Sequence, residues 1–145
     1  DYYKARAQFK LNQPSWGKYI HRAEHVRKQV ENDRTGEDID TLKRAIADHL
    51  FYSQALDEYF ASHHDYYMAV SLMVRDRLVH RWLQTEQTIH REDAKTVFYL
   101  SAEFLMGRQL GNNLVNLGIW QKTYQALQES GLDLYDICEQ EAEPG

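Results

Sequence analysis

One run of five residues limits what this 145-residue chain can fold into. Thr96-Val97-Phe98-Tyr99-Leu100 is β-branched and aromatic, the composition of a strand, and nothing else in the sequence matches it. A single strand leaves its backbone N–H and C=O groups unpaired, because a sheet needs neighbours. The expectation is a mostly α-helical chain, with about five to six helices and one short strand, whose sheet partners lie elsewhere in a longer polypeptide.

The helices are read from apolar spacing and caps. Pro14-Ser15 opens a short amphipathic helix over about 16–31, and Asn32–Gly36 breaks it. Asp38 is placed to cap the next helix, whose stripe is Ile39, Leu42, Ile46 and Leu50; Arg44 and Asp48 form an i,i+4 pair opposite, and the helix fades near Asp57. Residues 57–64 read as a linker. Asp65 then caps the longest helix, about 65–90, with Val70, Val74, Leu78 and Trp82 along one face and Tyr67 and Met73 widening it. Arg75, Asp76, Arg77, His80 and Arg81 fill much of the remainder. After Gly107, a helix marked by Leu110, Leu114 and Leu117 ends at Gly118, and another follows over 119–129. Ser130-Gly131-Leu132 fits a glycine C-cap with its apolar contact, and Asp133 caps a last helix through about 140.

Charge divides the chain. Residues 1–34 hold eight Lys/Arg against four Asp/Glu, and residues 35–145 hold nine against eighteen, for a net charge of −5. This gives a basic N-terminal extension, 1–37, and a helical segment, 38–145. The basic residues are spread singly among acids, which fits a solvated helix face better than a phosphate-neutralising stripe. From Glu129 onward there are six acids and no Lys or Arg. No apolar run approaches the roughly 18–20 residues of a membrane span, and no signal-peptide pattern opens the chain. The single cysteine, Cys138, excludes an internal disulfide framework. A cytoplasmic protein is the simplest fit. The chain opens on Asp1 rather than Met, which leaves room for residues upstream.

Candidate chemistry is sparse. His21 and His25 have i,i+4 metal-ligand spacing but lack an evident third ligand, His63-His64 fit a loop, and His80 and His90 fit a helix surface, so no metal site is assigned. No nucleophile–base–orienter set is visible, and the acids around Cys138 would raise its thiol pKa. Gly107 and Gly111 make no phosphate loop. Glu103 stands out as a carboxylate in apolar company just past the strand. Such a group is costly unless it is bonded. It is either an active-site carboxylate or half of a structural ion pair, for instance with Arg108.

The motifs DYY at 65–67, VRDRLV at 74–79, RW at 81–82, YLSAEFLMGR at 99–108 and NNLVNLG at 112–118 resemble the N-terminal region of the glycogen (α-glucan) phosphorylases. TLKRAIADHL at 41–50 and GLDL at 131–134 agree, so the likeness covers about 38–145, and YLSAEFLMGR is its most specific part. The resemblance implies an enzyme that moves glucose from an α-1,4-glucan end to inorganic phosphate, giving glucose 1-phosphate. It implies an α/β fold of two Rossmann-like (GT-B-like) halves, with pyridoxal phosphate held by a C-terminal lysine that this chain lacks. Glu103 would line the catalytic cleft, and Leu105 would lie near the cofactor where animal members have a tyrosine. That leucine fits a bacterial type. Glu58 and Gln84 replace arginines, and His90 a tyrosine, that bind a phosphoserine or AMP in animal enzymes. Control by those effectors is therefore expected to be absent or altered. Residues 50–64 would contribute to a homodimer. No nucleic acid or membrane partner is implied.

The alternatives are a standalone helical interaction module derived from such an enzyme, and a helical nucleic-acid-binding domain. Taken alone, residues 1–145 are expected to be inactive.

Overall fold

The computed structural model describes residues 34–103 and 106–143. The expected helix at 16–31 therefore lies outside the described residues, as does Leu105. Among the described residues five α-helices form, with no strand.

Asp38 accepts the Thr41 N–H at 2.9 Å and starts α1, Ile39–Asp48. Arg44 on this helix donates to Thr41 Oγ1 at 3.0 Å. The helix does not fade towards Asp57; it passes into a π-helical turn, His49–Ser53, and then Ala55 takes a left-handed φ of 56°. Helix α2, His63–Glu92, starts three residues earlier than a cap at Asp65 would allow. Ser62 is the cap. Its hydroxyl oxygen accepts from the Asp65 N–H at 3.3 Å, while Asp65 accepts from the Ser62 N–H at 2.8 Å, a reciprocal capping box.

Helices α3, Leu110–Leu117, and α4, Trp120–Glu129, end alike. Gly118 and Gly131 have φ of 76° and 78°, and the next residues donate back across the last turn, Ile119 to Leu114 O and Leu132 to Leu127 O. Both are Schellman endings closed by an apolar contact. Asp133 accepts the Tyr135 N–H at 2.8 Å and starts α5, Leu134–Glu139.

One core joins these helices. Leu42 and Ile46 of α1, Val70, Met73 and Val74 of α2, Leu114 of α3, Leu127 of α4 and Ile137 of α5 are buried together. α1 packs on α2 and α4, while α2 also packs on α3 and α5. At 30 residues α2 is about 45 Å long, far beyond its short partners. Among the described residues, only its first half is packed against other helices. Trp82, expected on the buried stripe, is 64% exposed for that reason. Arg77, expected on the polar side, is 2% exposed because it continues the Ala69–Met73 row one turn on.

The strand expected at 96–100 does not form. The segment after α2 runs without regular structure, with Phe98 79% and Tyr99 78% exposed. No neighbouring strand exists among the described residues to pair the backbone, so β-type composition alone does not make a strand here.

Candidate functional site

The candidate catalytic carboxylate, Glu103, lies exposed on the segment between α2 and α3. Its N–H donates to Ser101 Oγ at 3.2 Å and its carbonyl accepts from the same hydroxyl, a local turn. It does not bond Arg108. That guanidinium pairs with Glu139 at 2.6 Å and approaches Glu143 at 3.9 Å, and the Glu139 hydrogen bond above all holds its pKa higher than usual. Beside it, both oxygens of Glu141 accept backbone N–H groups, from Gln109 at 2.6 Å and Leu110 at 2.8 Å.

Glu58, Gln84 and His90 fall in separate places. Glu58 sits in a turn beside a groove of about 570 Å³ between the π-helical turn and the end of α4. Asp48, Asp57, Tyr59 and Tyr66 also line it. Burial, and then the Glu58 charge, push the Tyr66 phenol pKa up. Lys43, the groove's cation, is paired with Glu129. A rim of this sign repels a phosphate. Gln84 lines a second cavity, of about 210 Å³, with Arg77, His80 and Arg81. There Gln84 Nε2 meets His80 Nε2 at 3.0 Å, and Arg81 donates to Glu37 at 2.8 Å and to Leu117 O at 3.1 Å. His90 is exposed on the last turn of α2.

Two polar clusters escaped the sequence reading. Arg77 donates to Met73 O at 2.9 Å and to Gly36 O, and its Nε has no hydrogen-bond partner. Burial lowers its pKa, opposed by the charges of Asp76, Glu37 and Asp38. The 69–73–77 spacing carried this signal. In the second cluster, buried His49 meets Ser53 Oγ at 2.9 Å through Nδ1 and Asp76 Oδ2 at 3.1 Å through Nε2. Arg34 donates to the same Asp76 oxygen at 2.8 Å. These are the residue types of a nucleophile–base–orienter set, but neither His49 nor Ser53 lines either cavity. The cluster instead braces the π-helical turn and Arg34 against α2.

Cys138 is half-buried, and its thiol pKa is raised first by burial and only then by Glu141 and Glu139. Among the described residues, no group of three or more His, Cys, Asp and Glu side chains is placed to hold a metal. His21 and His25 lie outside those residues. No described helix is long and apolar enough to cross a membrane.

No family model matches the chain. Individual proteins do. A glycogen phosphorylase of Synechocystis is 53% identical over 117 residues, covering 81% of this chain and 14% of that protein. The brain form of glycogen phosphorylase from Bos taurus is 39% identical over 108 residues, covering 74% of this chain and 13% of its own length. The muscle form from Homo sapiens is 38% identical over 109 residues, covering 75% and 13%. The chain thus spans about one seventh of the length of the curated relatives it matches.

Proposed function

We propose, from the premise that this chain is homologous to a segment of the glycogen phosphorylases, that it serves in an enzyme of that reaction class. The complete enzyme transfers a glucosyl unit from an α-1,4-glucan end to inorganic phosphate, releasing glucose 1-phosphate. The observation that carries this is 53% identity over 117 residues to the cyanobacterial protein. A standalone interaction module or a nucleic-acid-binding domain is not favoured by that likeness.

Within such an enzyme the segment supplies scaffold, a dimer contact and a cleft carboxylate. Glu103 is that carboxylate, and its exposure leaves it open to a neighbouring domain. By the resemblance, Leu105 would lie near the cofactor. The cofactor of the class is pyridoxal phosphate, whose phosphate group, not its aldehyde, would take part in the chemistry. The described residues do not fit it. Lys43 is paired with Glu129, and Lys95 and Lys122 are exposed, so none is a buried lysine for its aldehyde. The lysine that holds it belongs to the C-terminal domain.

The exposed Tyr59 and Phe60 suit residues 50–64 to a homodimer contact. Glu58 on the acidic groove and Gln84 beside His80 lack the cationic fork that grips a phosphate. Control by phosphoserine or AMP through Glu58, Gln84 and His90 is therefore absent or altered. A cytoplasmic location suits an enzyme of stored glucan.

A glucose 1-phosphate release assay with glycogen and phosphate tests this. The complete polypeptide containing the segment turns over, and the isolated 145 residues do not. Turnover by the isolated chain, or none by the complete one, refutes the reading.

A further inference from the structure

At the far end of the acidic run, Glu139, Glu141 and Glu143 have specific work. Helix α3 has no cap from its own N-cap side chain. The free N–H groups at its start are instead taken by Glu141, both oxygens at once, from 31 and 32 residues away. Two residues before Leu110, Arg108 is paired with Glu139 and lies near Glu143.

The base of this arrangement is packed into the core. Leu134 and Ile137 of α5 are buried in the core, and the Glu141 N–H closes onto Cys138 O at 3.3 Å. The segment it holds is otherwise exposed from Val97 to Leu100. Glu103 lies five residues before Arg108, a reach of at most about 17 Å of extended chain. These contacts hold Arg108, the C-terminal end of that reach, against the chain leaving α5.

The geometry points to Glu141 and Arg108 as positioning residues, a clasp that fixes the start of α3 to the chain leaving α5 and so limits how far Glu103 can stand from the helical body. This rests on the phosphorylase reading only for what Glu103 then does; the clasp itself is a matter of geometry.

The test uses the 145-residue chain with Glu141→Ala, Glu141→Asp and Arg108→Gln. Amide hydrogen exchange is read at Gln109 and Leu110, with Leu42 and Val70 as core controls. A spin label at Glu103→Cys in a Cys138→Ser background reports the segment's distance distribution to α2. Glu141→Ala speeds exchange at Gln109 and Leu110 by about tenfold or more and broadens the label distribution, while the core controls hold. Arg108→Gln broadens it too, and Glu141→Asp restores part of the protection. Unchanged exchange and label distribution in both variants overturns the clasp. So does equal loss of protection at Leu42 and Val70, which marks a general fold defect. In the complete enzyme, Glu141→Ala lowers kcat and leaves KM for phosphate within about twofold. An unaltered kcat sinks the positioning role. A wild-type polypeptide with no phosphorolysis sinks the functional reading and leaves the exchange result standing.

Discussion

Replacing Arg77 separates what a buried charge contributes from what its bulk contributes. Its guanidinium is buried and bonded to no carboxylate among the described residues, and burial depresses its pKa, so the folded state disfavours the charge. Arg77→Met keeps the volume and removes that charge together with the Nε that has no partner. Two acceptors are affected. Met73 O retains the helical N–H of residue 77. Gly36 O is only partly buried and is within reach of water. The loss of these hydrogen bonds, about 1–3 kcal/mol, is opposed by relief of a buried charge and an unsatisfied donor of similar size. The Met variant is therefore expected within about 1 kcal/mol of wild type. Arg77→Ala also opens a cavity where the side chain's stem packed, at roughly 2–5 kcal/mol. Thermal melts by circular dichroism read the difference, since each kcal/mol moves the midpoint of a domain near this size by about 3–4 °C. If Met destabilises as much as Ala, the carbonyl hydrogen bonds hold this region together and the reasoning fails.

The caps give a pH dependence. Asp38 and Asp65 have pKa values below the ordinary 3.8, each chiefly through a side-chain hydrogen bond, with Thr41 and Ser62 respectively. A depressed folded pKa means their contribution is full above 3.8 and is lost as pH falls through the folded values. Asp65→Asn should flatten the acid limb of a stability–pH curve below that point, and an unchanged limb counts against the capping box. Gly118→Ala and Gly131→Ala force a Cβ into left-handed backbone with no steric neighbour within 4 Å. Each should cost about 1–2 kcal/mol in urea melts, and a neutral result removes the Schellman assignment.

How much of this was legible depended on range. Asp38, Asp133, Gly118 and Gly131 act on backbone groups within a few residues, so their roles could be read directly and hold in the structure. Ser62 was missed because Asp65, its reciprocal partner, is an equally good cap by type. For the candidate site, the motif around Glu103 could be read, but its surroundings could not. Arg108, the expected partner five residues away, is drawn instead to Glu139, 31 residues on.

Taken by itself, the chain's order of residues determined the helices among the described residues, most of their ends and the family likeness, because caps, apolar spacing and motifs are local. Only the tertiary structure decided that Arg77 goes inside, that Trp82 stays out, that His49 spans Ser53 and Asp76, and that Glu141 serves α3. Each outcome depends on where a short helix stops covering a long one, or on two carboxylate oxygens meeting N–H groups some thirty residues away. Pairing over such distances follows from packing and has no signature in sequence spacing. The strand is the converse case. Its composition was plain at Val97–Leu100, but β structure needs a neighbour, and composition cannot supply one.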